Sequence, residues 1–240
     1  MSFLSRLFGR RFPTPSTEGK SAAFALVVLF DGSSTQADVV FRKGLRNSGR
    51  PGHHSARTLF ELMTLYTFAL CDSIMSASQP DEVVDEVMAT CLEHIAARCR
   101  RLGSPEYLEA VARSRWAAYL AYGKDGAKEC TSVGRLLDGQ GTLSPLYEAL
   151  VRADACELRP SGTANGDQPW RLEDPFDNWR IWSNLKAGYI HLLMPFETAA
   201  RAVAAACPDL RRLSADQALS IWGEAFRKAT CAVSEGPTAE

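Results

Sequence analysis

Histidine is scarce, lysine nearly as scarce, and none of the motifs that carry chemistry is complete. The histidines are His53, His54, His94 and His191. They form no H-E-x-x-H motif and no Glu-x-x-His pair, so neither a zinc protease nor a di-iron bundle is signalled. A G-x-S-x-G elbow is missing. The stretch GRLLDGQG from Gly134 to Gly141 lacks the Lys-Ser/Thr of a phosphate-binding loop. The seven cysteines (Cys71, Cys91, Cys99, Cys130, Cys156, Cys207, Cys231) are widely spaced with no C-x-x-C pair. That pattern signals neither a zinc site nor a thioredoxin-type pair, and an odd count of free thiols fits a reducing compartment. No metal and no cofactor is expected. The longest unbroken apolar run, Ala22 to Phe30, falls well short of the ~20 residues of a membrane span.

What is present is an ordinary globular composition, 46% apolar and 23% charged over 240 residues, with a net charge of -1. The total conceals an asymmetry. Residues 1–57 hold nine Lys/Arg against three acids, a balance of +6, and the remainder balances at -7. A basic segment of this kind either meets an anionic surface or packs against its own acidic body. Arginine outnumbers lysine 21 to 6 and alanine is abundant, as in a high-GC, bacterial coding background.

The first twelve residues, MSFLSRLFGRRF, place Phe3, Leu4, Leu7 and Phe8 on one helical stripe with Arg6, Arg10 and Arg11 beside it. Pro13 stops the pattern, and a polar linker runs to about residue 20. Three readings follow: a helix docked on the protein's own body, an interfacial helix on anionic lipid or a partner, and an organellar presequence. As the second, Phe3, Leu4, Arg6, Leu7, Phe8, Arg10 and Arg11 form the membrane-facing set.

Residues 21–240 read as a single all-α domain, a multi-helix bundle of about seven helices. Phe24–Phe30, an Asp-Gly turn and Asp38–Phe41 suggest a minor β-hairpin, with a buried helix from Ser21 as the alternative. Arg42–Ser55 is basic, holds three glycines and a proline, and reads as an exposed loop. A helix apolar on nearly every side follows from Ala56 to Ala77. The next opens at Pro80 with acids in its first turn. Ser104-Pro105-Glu106 caps another, and Ser144-Pro145 repeats the device. Glu157–Asp174 is irregular, an aromatic-faced helix runs from Phe176 to Leu193, and Pro195 interrupts it. An Ala-rich helix to about Cys207 and a last helix through Leu219, Trp222, Phe226 and Ala229 complete the chain.

Two acids stand in the apolar central helix. Glu61 and Asp72 are eleven residues apart, hence about 20° apart around the axis. A carboxylate in such surroundings is paired, protonated or near an end. Glu61 benefits from the helix N-terminus, and Asp72 calls for an arginine from a neighbouring helix or else a catalytic or metal role. Asp81, Glu82, Asp85 and Glu86 have the spacing of a Mg²⁺-diphosphate motif, but Val83, Val84 and Val87 take the buried face and leave the acids to water. Trp170, Trp179 and Trp182 with Phe176 form a dense aromatic cluster. It is either core or, with Arg171 and Arg180, an interface of the Trp/Arg kind.

The leading expectation is a non-enzymatic helical protein-interaction module, cytoplasmic and peripheral at an anionic membrane surface. Its protein partner is met through Trp170, Arg171, Trp179 and Arg180. The alternatives are a helical enzyme using Asp72 and Glu61, and a nucleic-acid binder using the basic segment. The last is disfavoured because that segment lacks the interleaved aromatics of a single-strand binder.

Overall fold

The computed structural model describes residues 21–47, 55–124 and 192–235. Six α-helices lie among them: α1 (Ala22–Asn47), α2 (Ser55–Ser76), α3 (Asp81–Cys99), α4 (Pro105–Lys124), α5 (Met194–Ala205) and α6 (Ala215–Glu235). A short 3₁₀ turn, Leu210–Arg212, precedes α6. The all-α expectation holds for these residues. Their one extended pairing is a bridge between Ser21 and Ser214. The N-terminal arm, the Ser144-Pro145 helix, the irregular stretch and the tryptophan cluster lie outside the described residues.

The hairpin is corrected. Residues 24–41 belong to one 26-residue helix. Val27, Val28, Val39 and Val40 favour a strand by propensity, but burial overrides propensity. Ala22, Leu26, Phe30, Ser34 and Asp38 recur every four residues and are all buried. Ser34 Oγ donates to the Asp31 carbonyl at 3.1 Å, so its hydroxyl is accommodated inside the helix. The helical backbone also continues through Asn47, which shortens the basic loop expected from Arg42 onward.

The central helix is α2. Every residue from Phe60 to Cys71 is buried. Its hydroxyls turn inward to the backbone: Thr64 Oγ1 donates to the Phe60 carbonyl at 2.8 Å and Ser73 Oγ to that of Ala69 at 2.7 Å. Two windows, Ala22–Val40 and Thr58–Ser76, each with mean hydropathy 1.2, are long and apolar enough to cross a bilayer by length and composition. In the second, 83% of the window is already buried inside the protein, as in the core helix of a globular chain.

The described chain falls into two compact units. Unit 1 comprises residues 21–36, 66–91 and 192–235, and unit 2 comprises 37–47, 55–65 and 92–124. In unit 2, Phe60, Met63, Ile95, Leu108 and Val111 are almost wholly buried. Trp116 Nε1 donates to the Thr64 carbonyl at 2.9 Å. Cys99 Sγ donates to that of Ala56 at 3.8 Å. Ser104 caps α4 as its sequence requires, its Oγ accepting from the Tyr107 N–H at 3.3 Å.

Unit 1 is built on an aromatic chain. Phe196 meets Tyr66 edge-on at 4.9 Å and Trp222 edge-on at 5.0 Å, and Trp222 stacks on Phe226 at 6.3 Å. The turn after α2 carries Ser78 in the left-handed region (φ 56) and then Gln79, which is buried. The Gln79 amide donates to the carbonyls of Ala204 (2.7 Å) and Cys207 and accepts from the Leu210 N–H (2.9 Å). One side chain thus satisfies the end of α5 and the start of the 3₁₀ turn, backbone groups that would otherwise be buried without partners.

Gln79→Ala is therefore expected to lower unfolding free energy by about 3 kcal/mol, because two carbonyls and an N–H lose their partners together. Urea denaturation of the two proteins measures it. A loss near zero would show that water replaces the amide.

Candidate functional site

The segment Met194–Ala205 starts with a π-type turn at Leu192 and Leu193 and has Pro195 in its first turn, where a missing N–H costs nothing. Its apolar residues Phe196, Ala199, Ala200, Val203 and Ala204 are fully buried. The same packing carries Glu197 inward, leaving it 3% exposed. One turn further on is Arg201, whose Nη2 lies 3.9 Å from Asp72 Oδ2 on α2. Neither Glu197 Oε1 nor Arg201 Nε, both buried, has a hydrogen-bond partner. Tyr66, also on α2, is buried nearby and senses the charge of Glu197.

Burial dominates the electrostatics here. It pushes the Glu197 carboxyl up from 4.5 to about 7; Arg201 opposes the shift and Asp72 adds to it. A position in the first turn of a helix favours the anion by only about 0.3–1 kcal/mol, too little to offset desolvation. Tyr66 is likewise raised by burial and then by Glu197. The thiols follow the same rule. Burial, with Asp72 and Asp85 adding, pushes Cys71 up to about 12. Cys91 is raised by burial although Thr67 hydrogen-bonds to it. Cys99 rises to about 12 through burial, against the opposing charge of Arg98. Such thiols behave as small hydrophobes and not as nucleophiles.

The two acids singled out from sequence are found with separate arginines. Glu61, 1% exposed, is gripped in unit 2 by Arg115 of α4: Nε lies 3.2 and 3.1 Å from its two oxygens and Nη2 is 3.0 Å from Oε1. The expectation that the helix N-terminus would suffice for Glu61 is thus corrected: so deep a carboxylate needs a guanidinium fork. Asp72, in unit 1, faces Arg201, the neighbouring-helix arginine its position called for. Asp81, Glu82, Asp85 and Glu86 are exposed while Val83, Val84 and Val87 are buried, the solvated-face arrangement. Trp170, Arg171, Trp179, Trp182 and Arg180 lie outside the described residues. So do Phe3, Leu4, Arg6, Leu7, Phe8, Arg10 and Arg11.

Glu197 and Arg201 escaped the sequence reading because Glu and Arg four residues apart look like a surface helix pair. The signal that was available is the run around them, MPFETAARAVAA, in which the acid sits directly after a proline-aromatic pair and among alanines. No protein-family model, curated protein or solved structure matches the chain.

The raised Glu197 carboxyl links stability to pH. The folded state holds this proton up to about pH 7 whereas the unfolded chain releases it near 4.5. The group's contribution is therefore complete below 4.5 and lost as pH rises through about 7, a change of about 3 kcal/mol. Denaturant midpoints across this range are expected to fall with rising pH in the natural chain and to flatten in Glu197→Gln. Equal slopes in the two proteins would mean that the carboxyl titrates normally.

Proposed function

We propose that this chain is a non-enzymatic helical interaction module that meets a protein partner and an anionic membrane surface. The observation that carries the reading is the fate of the acids offered for chemistry. Glu61 is enclosed and gripped by Arg115 through both oxygens, so a substrate has no access to it. Asp72 faces Arg201. The core thiols of Cys71, Cys91 and Cys99 are buried in their neutral form. The described surface, by contrast, presents apolar side chains to solvent: Val39, Val40 and Met75 are each about half exposed. The first twelve residues supply an amphipathic basic stripe of the interfacial type, and Trp170, Arg171, Trp179 and Arg180 supply the anchor composition of a protein interface.

The test is co-sedimentation with vesicles containing anionic lipid, using the full chain and a chain lacking residues 1–12. Deletion is expected to abolish binding and leave the thermal midpoint unchanged, and salt is expected to weaken binding by screening the arginines. A midpoint that drops by several degrees on deletion would place the arm in the core and remove the membrane half of the reading. For the protein half, Trp170 is expected to be open to a polar quencher in the free chain. A Trp170 as protected as Trp222 would count against the interface.

A further inference from the structure

Arg201 stands between two carboxylates and makes a close bond to neither. Its Nη2 reaches Asp72 Oδ2 only at 3.9 Å, and its side chain is 38% exposed. Its buried Nε has no acceptor, while buried Glu197 Oε1, one turn back on the same helix, has no donor. A guanidinium is a rigid fork with five donors that is suited to gripping a carboxylate through two bonds. A glutamate four residues before its basic partner is the favoured order for a helix pair. Two complementary groups lie one helical turn apart, each with one buried atom lacking a partner, and a competing carboxylate stands on the neighbouring helix.

We propose that Arg201 is a two-position latch controlled by the proton on Glu197: with Glu197 protonated it reaches across to Asp72 and ties α5 to α2, and with Glu197 ionised it folds back onto Glu197 and releases Asp72. The groups around Glu197 suit this exchange. From α2 it is faced by Tyr66 and Asp72, and from its own helix by Arg201. The turn after α2 brings the uncharged amide of Gln79 to the far end of α5. Against α5, α6 places Trp222 on Phe196, and two of its charges, Glu224 and Lys228, pair with each other in solvent at 2.7 Å. From α3, Asp85 acts on Cys71, the neighbour of Asp72. Among the described residues, Arg201 is thus the cation that acts on the Glu197 carboxyl. Because burial holds the Glu197 proton up to about pH 7, the exchange operates around neutrality. The device rests on unit 1 alone and stands or falls separately from the membrane and partner reading.

The test is a titration of the full chain by NMR, following the Glu197 carboxyl carbon and the Arg201 Nε resonance together. Both are expected to move with one shared midpoint near neutrality. A Glu197 midpoint in the ordinary carboxylate range, or an Arg201 Nε that does not follow Glu197, would overturn the latch. A double-mutant cycle on Asp72→Asn and Arg201→Met provides the second measurement. The coupling is expected to amount to roughly fivefold in the folding constant at about pH 5.5 and to vanish at about pH 8.5. In a Glu197→Gln background it is expected to persist at both pH values. Coupling that is independent of pH in the natural chain would also overturn the proposal. Should Glu197→Gln fail to fold, the titration of the natural chain decides the question.

Discussion

A helix surrounded by protein on nearly every side can carry polar groups only where something reaches in to meet them, and α2 is such a helix. Twelve consecutive residues, Phe60 to Cys71, are buried, yet the run contains Glu61, Thr64 and Thr67. Thr64 bonds to the carbonyl one turn back. Glu61 has no such local solution, because an ionised carboxylate left unpaired in that environment costs several kcal/mol. Its answer is Arg115, delivered by α4 with the guanidinium fork in register with both oxygens. The neighbouring Trp116 hydrogen-bonds the Thr64 carbonyl from the same helix turn. The two consecutive residues of α4 therefore fix its register against α2 within unit 2.

Unit 1 solves the same problem less completely. Gln79 satisfies three backbone groups at the end of α5 and the 3₁₀ turn. Glu197, by contrast, is carried into the core by Phe196 and the alanines beside it, and one oxygen is left with no donor. Desolvation therefore outweighs the attraction of Arg201, and the group stays protonated to about pH 7. A fully gripped carboxylate such as Glu61 contributes rigidity, whereas a loosely served one such as Glu197 contributes a dependence on pH. Which of the two arises is decided by whether a guanidinium reaches the carboxylate: Arg115 reaches both oxygens of Glu61 at 3.0–3.2 Å, whereas Glu197 Oε1 has no donor.

Much of the helical framework was legible in the sequence. The Ser104-Pro105 start of α4, the uniformly apolar α2, the exposed acids of α3 and the Leu219–Trp222–Phe226 face of α6 all follow from periodicity and capping. The error at residues 24–41 has a clear cause. β-branched valines and an Asp-Gly step are local signals, whereas the four-residue recurrence that makes α1 helical runs through Ser34 and Asp38, polar residues whose burial no hydropathy pattern reveals. The partner of Asp72 was foreseeable as a type, an arginine from a neighbouring helix, but not as Arg201. That of Glu61 was not foreseen, because the helix N-terminus was expected to suffice and Arg115 is 54 positions away. Glu197 was missed for the opposite reason, since its spacing to Arg201 resembles an exposed pair and only the packing of α5 shows otherwise.

The central claim is that buried charge on α2 is tolerated because a neighbouring helix compensates it. The most direct measurement is a double-mutant cycle on Glu61 and Arg115, with each replaced by Met, read as unfolding free energy. Arg115→Met alone is expected to cost about 3–5 kcal/mol, because Glu61 is left buried without its partner. The double replacement, which removes both charges and preserves volume, is expected to cost far less than the two single costs added together. If Arg115→Met costs under about 1 kcal/mol, as an exposed pair would, then Glu61 is solvated or protonated and the compensation described here is not what holds α4 to α2.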